Sequence, residues 1–383
     1  MEQHKNREKS NKKFMVLSAI GIFMVVDHHT FTAFKVFGNV IPYNSFFMPM
    51  FVFVSGYFNK VDSSTNLRTY LIKKIKSLII PYVGISLLAF VLQFLMSWFK
   101  GGEVPSYSLE YLAYMLERVV TVGSAFSLVE PMWFVITLFT LLIVYALLKK
   151  ALDKIWNNFV AFTIFSIFSF IVVFLAHNNL LISKSYLLLP MKVLFFLPFI
   201  ELGVIYRKYL EKIHSGLSGT WKIAILMTLI GFNVIRTIYL PDSYDIAFDS
   251  LNELTGFTSP FFVTPMVSSL VGILFWLTFV DLIGKPVYES RFVNYMSCNT
   301  FWIMGLHIVF FNLINCILLL ISKHIAYIPY FDIEEFRGTE WYYWGISDNI
   351  KMLYVFVGIL GPLWLKWIFD RLICLKKEKR SAH

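Results

Sequence analysis

Charge is what this chain has least of. Only 15% of its 383 residues are Asp, Glu, Lys or Arg, against 57% hydrophobic and 18% aromatic, where a soluble domain carries about a quarter charged residues. That shortage excludes an ordinary water-soluble globule. Cysteine is scarce as well. Cys298, Cys316 and Cys374 have neither paired nor metal-ligand spacing, so they read as small packing residues and no metal site is expected. No HExxH string is present, which excludes the common zinc-peptidase signature. There is no internal repeat and no heptad pattern. The polar, Lys-rich start is not followed by a small-residue cleavage site, so the first apolar run is expected to stay as an anchor.

What is present is a succession of apolar runs long enough to cross hydrocarbon, such as Leu78–Phe99, Phe159–Ala176 and Val263–Phe279. Hydropathy predicts an all-α polytopic membrane protein with about ten transmembrane helices. They lie near residues 14–34, 41–58, 77–98, 131–148, 157–176, 185–206, 222–240, 263–283, 295–321 and 352–370. Lys and Arg gather before the first helix (Lys5 to Lys13), between the second and third (Lys60 to Lys76) and after the last (Arg371 to Arg380). Positive loops resist translocation, so both termini are expected in the cytoplasm. The division follows: a basic N-terminus over 1–13, a membrane domain over 14–370 and a basic tail over 371–383. The net charge of +10 is then a matter of topology and anionic lipid, and no nucleic-acid partner is expected.

Function has to come from polar groups at membrane depth, where an ionisable side chain is costly unless it faces a cavity or a partner. Asp27, His28 and His29 close the first helix. At 1.5 Å rise per residue, His29 lies roughly 22 Å from the inner face, His307 roughly 18 Å and Arg236 roughly 21 Å. Lys192 enters from the other side to a similar depth. These groups predict one shared cavity, with Trp133 at its edge. Each has a plainer reading: an interfacial cap for the histidine pair, a packing hydrogen bond for His307, and snorkelling for Lys192 and Arg236.

The order of several short strings narrows the choice. Gly21-Ile22-Phe23-Met24-Val25-Val26-Asp27-His28-His29 is followed by Ser55-Gly56-Tyr57, then by Lys73-Lys74-Ile75-Lys76 leading to Pro81-Tyr82, by Pro131-Met132-Trp133-Phe134, and by Asn299-Thr300-Phe301-Trp302 before His307. Together these resemble the acyltransferase-3 family of bacterial membrane O-acyltransferases. The resemblance implies an enzyme of the cytoplasmic membrane that moves an acetyl or other acyl group from acyl-coenzyme A to a hydroxyl of a glycan or glycolipid, with no permanently bound cofactor. It implies His29 as the catalytic histidine, with His28 and His307 as further candidates. It also implies a basic element at Lys73 and Lys76, with Lys74 and Arg68 beside it, for the donor's phosphates. One departure stands out: the family often has Lys or Arg eleven positions before the histidine, and this chain has Ser18 there.

The chemistry agrees with that picture independently. Acyl transfer to a hydroxyl needs a base, and neutral imidazole suits this role near neutral pH. Residues 27 and 29 point about 200° apart on a helix, so a partner for His29 is expected from another helix. Two other functions remain open from the residues alone: a transporter or flippase of surface-glycan precursors, and a non-catalytic assembly subunit. The first would favour an inverted repeat or paired broken helices, which are not seen.

Overall fold

The computed structural model describes residues 2–30, 33–34, 36, 40–41, 47–62, 64–101, 108–125, 127–177, 185–239, 264–325, 328, 331–339 and 350–381. The aromatic cluster Trp341-Tyr342-Tyr343-Trp344, which the sequence leaves open between stacking on sugar rings and an interfacial aromatic belt, and the stretch 241–262 lie outside these residues. The fold is a bundle of helices. Among the described residues, eight of them are long and apolar enough to cross a membrane: Leu67–Lys100 (α3), the helix that includes Trp133–Ala151 (α5), Asn158–His177 (α6), Leu188–Gly216 (α7), Gly219–Tyr239 (α8), Thr264–Ile283 (α9), Thr300–His324 (α12) and Lys351–Ser381 (α14). Before them come α1 (Glu2–His28) and the short apolar α2 (Phe47–Phe58), and the short α10 (Lys285–Tyr288) and α13 (Ile333–Gly338) lie in later connections. Large apolar side chains such as Leu87, Trp98, Ile167 and Ile223 stand exposed on the outside, where water would penalise them and lipid does not.

The expected helices are present, with informative differences at their ends. α1 starts at Glu2 rather than near 14, because Lys- and Glu-rich sequence is itself a good helix former and carries the apolar helix outward. Between α3 and α5 lies Leu109–Thr121 (α4), where no helix was expected. Its Glu110, Glu117 and Arg118 break the hydropathy signal while leaving an amphipathic pattern. The ninth predicted helix is split into Arg291–Cys298 (α11) and α12, with Asn299 taking a non-helical conformation and donating its amide to the Tyr295 carbonyl at 2.8 Å.

α1 is the central helix. It packs against α2, α9, α11, α12 and α14, and Phe14, Leu17, Ile22, Val25 and Val26 are all buried. α2 and α7 cross with their backbones nearly touching. A Cβ on Gly56 would lie 2.1 Å from the Ile200 carbonyl oxygen, and one on Gly203 would lie 2.2 Å from that of Phe53. That contact accounts for the glycine of the Ser55-Gly56-Tyr57 string: only a residue without a side chain allows this approach.

Two helices widen locally into π-turns, at 75–79 in α3 and 206–210 in α7. The first precedes Pro81, whose missing N–H and bulky ring prevent a regular turn. The second carries Tyr206, Arg207 and Lys208, which bond to Lys13 of α1, the Tyr57 carbonyl of α2 and Asn158 of α6. π-turns of this kind often mark functional positions.

Candidate active site

α1 stops where its sequence supplies a stop. The Thr30 amide and hydroxyl both donate to the Asp27 carbonyl, at 2.9 and 2.7 Å. The Asp27 carboxylate accepts from the backbone amides of Ala33 and Phe34 at 2.9 and 3.3 Å. Asp27 is fully buried, and its recorded bonds shape the chain leaving the helix, so the residue fixes where the next two side chains stand.

His29 stands against α12. Its Nδ1 lies 2.7 Å from the Val25 carbonyl oxygen and 3.2 Å from Nε2 of His307, and the His307 Nδ1 lies 2.9 Å from the Ile303 carbonyl. The ring centroids are 4.9 Å apart. The two carbonyls assign the tautomers. His307 donates its Nδ1–H to Ile303 and presents the Nε2 lone pair, and His29 donates its Nδ1–H toward Val25 and that lone pair. In this arrangement the basic lone pair of His29 lies on Nε2, the nitrogen turned away from both contacts. His307 is fully buried, whereas His29 is half-buried, so a reacting group has access to one of the two rings only.

His28 is also half-buried, but it turns toward Phe47, with ring centroids 5.7 Å apart. The neighbouring histidines therefore face different surroundings, as their roughly 100° separation on a helix requires.

The remaining cavity candidates fall into two places. Lys192 is fully buried in α7, donates to the Val122 carbonyl at 3.1 Å and lies 4.1 Å from the centroid of the Trp133 ring. Trp133 in turn stacks on Phe196. Next in the chain, Gly123 has φ +98°, a conformation only glycine adopts without strain, and its carbonyl accepts from Tyr82 at 3.2 Å. The Pro81-Tyr82 and Pro131-Met132-Trp133 strings thus meet around one turn. That turn adjoins the histidine helix, since a Cβ on Gly305 would lie 2.9 Å from the Met132 sulfur. Arg236 is different: it donates Nη2 to Asn233 on its own helix, at 2.7 Å.

The opposite end of the bundle is basic. Arg68, Lys73 and Lys76 are exposed on the first turns of α3, and Lys74 lies over the Tyr70 ring at 5.2 Å. They form a charged surface rather than an enclosed pocket. In the loop after α2, the Ser64 and Thr65 hydroxyls donate to Asp62 at 2.7 and 3.0 Å and hold its carboxyl below the usual carboxylate range. Deeper in, Asp281 of α9 pairs with Lys222 at 2.6 Å and Lys13 at 3.4 Å. Lys13 also donates to the Tyr206 hydroxyl, which meets His214.

Two of these buried groups were missed from sequence: Asp281, and Glu201, which receives the Tyr145 hydroxyl and the Asn158 amide. Each is a lone acid inside an apolar run. That is the same signal that drew attention to His307.

Among the described residues, no three His, Cys, Asp or Glu side chains are grouped as a metal site. The acyltransferase 3 model, described as an acyltransferase domain, matches residues 14–371. The chain belongs to the acyltransferase-3 family. It is a multi-pass membrane acyltransferase. No curated protein and no solved structure matches it.

Proposed function

We propose that this acyltransferase takes an acetyl group from acetyl-coenzyme A, or a related acyl group from its thioester, and transfers it to a hydroxyl of a cell-surface or lipid-linked glycan, in the bacterial cytoplasmic membrane. The observation that carries this reading is the His29–His307 pair. The base is held at Nδ1 by a second imidazole and a backbone carbonyl, which puts its basic lone pair on Nε2. In the transfer, His29 Nε2 takes the hydroxyl proton as the oxygen attacks the thioester carbonyl. The carbon–sulfur bond breaks, and the coenzyme A thiolate leaves and is protonated. As His29 becomes charged, its Nδ1–H bond to His307 strengthens. His307 is therefore a positioning residue for the base.

The basic end faces the cytoplasm in this reading, where the donor is found, and the histidine end faces the acceptor. The test supplies membranes containing the protein with acetyl-coenzyme A labelled in the acetyl group. Label should enter a glycan fraction in a form released by mild alkali, as an ester is. Alkali-stable label, or none above membranes lacking the protein, would contradict O-acyl transfer.

The surface charges make a smaller, separate prediction. Lys73 and Lys76 are exposed, so they are expected to attract the donor's phosphates over a distance rather than to enclose them. Replacing both by Gln should weaken donor binding roughly three- to tenfold, and the loss should shrink at high salt. Unchanged binding at low salt would reduce these residues to topology signals.

A further inference from the structure

A cavity of about 750 Å³ opens at the basic end of the bundle, with Phe14, Ser18, Phe58, Lys60, Arg207 and Ser297 in its wall. It reaches α1 at Ser18, eleven residues and therefore roughly 16 Å along the same helix from His29. Two features distinguish it from an ordinary packing gap.

The first is its charge. Lys60 and Arg207 both line the cavity, and among the described residues neither forms an ion pair. The acids nearby have other partners. Glu211, one turn beyond Arg207, receives the Tyr57 hydroxyl at 2.9 and 2.8 Å, Asp62 receives Ser64 and Thr65, and Asp281 pairs with Lys13 and Lys222. Arg207 is instead fixed by donating Nη1 to the Tyr57 carbonyl at 2.6 Å, and it projects from the π-turn of α7. An arginine anchored through one nitrogen retains further N–H donors on the same planar fork, which suits phosphate.

The second feature is an aromatic wall. Phe14 and Phe58 meet edge to face at 5.5 Å, and Phe58 is 46% exposed, so one ring offers a face on which a flat heteroaromatic base can stack. Two uncompensated cations beside a stacking face match a nucleotide phosphate better than they match an apolar tail.

We infer that this cavity seats the phosphate-bearing part of a coenzyme A thioester, with Arg207 and Lys60 gripping the phosphates and Phe58 meeting the base. The inference rests on the acyl-transfer reading and adds the donor's location to it. The cavity lies beside Ser18, so Arg207 and Lys60 bring cations to the stretch of α1 where that residue brings none. Phosphate chemistry is shared by anionic lipid headgroups, and the experiment separates the two sources.

The full-length protein is placed in phosphatidylcholine nanodiscs and titrated with coenzyme A. Lys60→Gln and Arg207→Gln should each weaken binding about 10-fold to 100-fold, the range for a lost hydrogen bond to a charged group. Arg207→Lys should retain part of it. Ser18→Arg placed in the Arg207→Gln background should recover binding, because the new cation enters the same cavity. Lys154→Gln, at the same end of the bundle but outside the cavity, should bind as the parent does.

Pantetheine, which lacks phosphates, should show no dependence on Arg207. Lys60 is exposed, so its variant is expected to fold even if Arg207→Gln is lost with the Tyr57 contact. No coenzyme A binding by the parent, or equal affinity in the parent, Lys60→Gln and Arg207→Lys, would overturn the inference. So would displacement of coenzyme A by phosphatidylglycerol in an Arg207-dependent way, which would make this a lipid headgroup site. His29→Ala should bind coenzyme A normally, so a failure of the donor site and a failure of the catalytic reading give different results.

Discussion

Replacing His29 with Ala is expected to abolish acyl transfer while leaving the protein folded in the membrane. The side chain is half-buried, and its recorded bonds are to the Val25 carbonyl and to His307, so its removal leaves the core of α1 in place. The loss of a positioned general base costs about 10²–10⁴ in rate, which in a transfer assay is close to background. His28→Ala should leave partial activity, since His28 faces Phe47 rather than α12.

His307→Ala should be intermediate. It removes one of the two acceptors of the His29 Nδ1–H, leaving the Val25 carbonyl, at the moment the imidazole becomes charged, a loss worth about 1.5–3 kcal/mol and hence roughly 10- to 100-fold. His307→Gln, which offers a different acceptor at similar reach, should recover part of that. The assay is the alkali-labile label described above, normalised to protein in the membrane. Full activity in His29→Ala would move the base elsewhere, and to His28 if that variant alone were dead.

The second large effect concerns stability. Asp281 is the countercharge for two buried lysines, Lys13 of α1 and Lys222 of α8, with side-chain exposures of 4% for Asp281, 5% for Lys13 and 10% for Lys222. Asp281→Asn keeps the shape but leaves two buried ammonium groups without their anion. Breaking a buried pair in this way costs about 3–5 kcal/mol. The variant should melt at a clearly lower temperature in detergent, and combining it with Lys222→Met should recover part of the loss by removing one of the stranded charges. An unchanged melting point for Asp281→Asn would show that the cluster is solvated and contributes little.

The bundle was legible in the sequence because a membrane forces apolar residues into blocks the length of a span, and that signal survives without any knowledge of packing. Helix ends were less legible. Asn299 interrupts a run that hydropathy reads as continuous, and α4 is amphipathic, so its charges hide it from a window average. In the site, depth could be counted along each helix, which is why His29 and His307 were placed at similar heights. What the count cannot give is azimuth and the choice of neighbouring helix.

The same limit explains why Lys192 and Arg236, read as equals by depth, differ in the structure. Lys192 packs on Trp133 and the Val122 carbonyl, while Arg236 bonds within α8. Glu201 and Asp281 were legible by the rule that applied to the histidines. Arg207 was not, since it sits in a basic stretch where topology alone accounts for a positive charge.

The central claim is that this protein places an ester on a surface glycan through His29. Its most direct test is the mass of surface glycans from cells producing the parent, cells producing His29→Ala at equal level, and cells producing neither. The account predicts an added acyl mass, lost on mild alkali, in the first sample only. The same ester-bearing mass in the His29→Ala sample, or in none of the three, would contradict it.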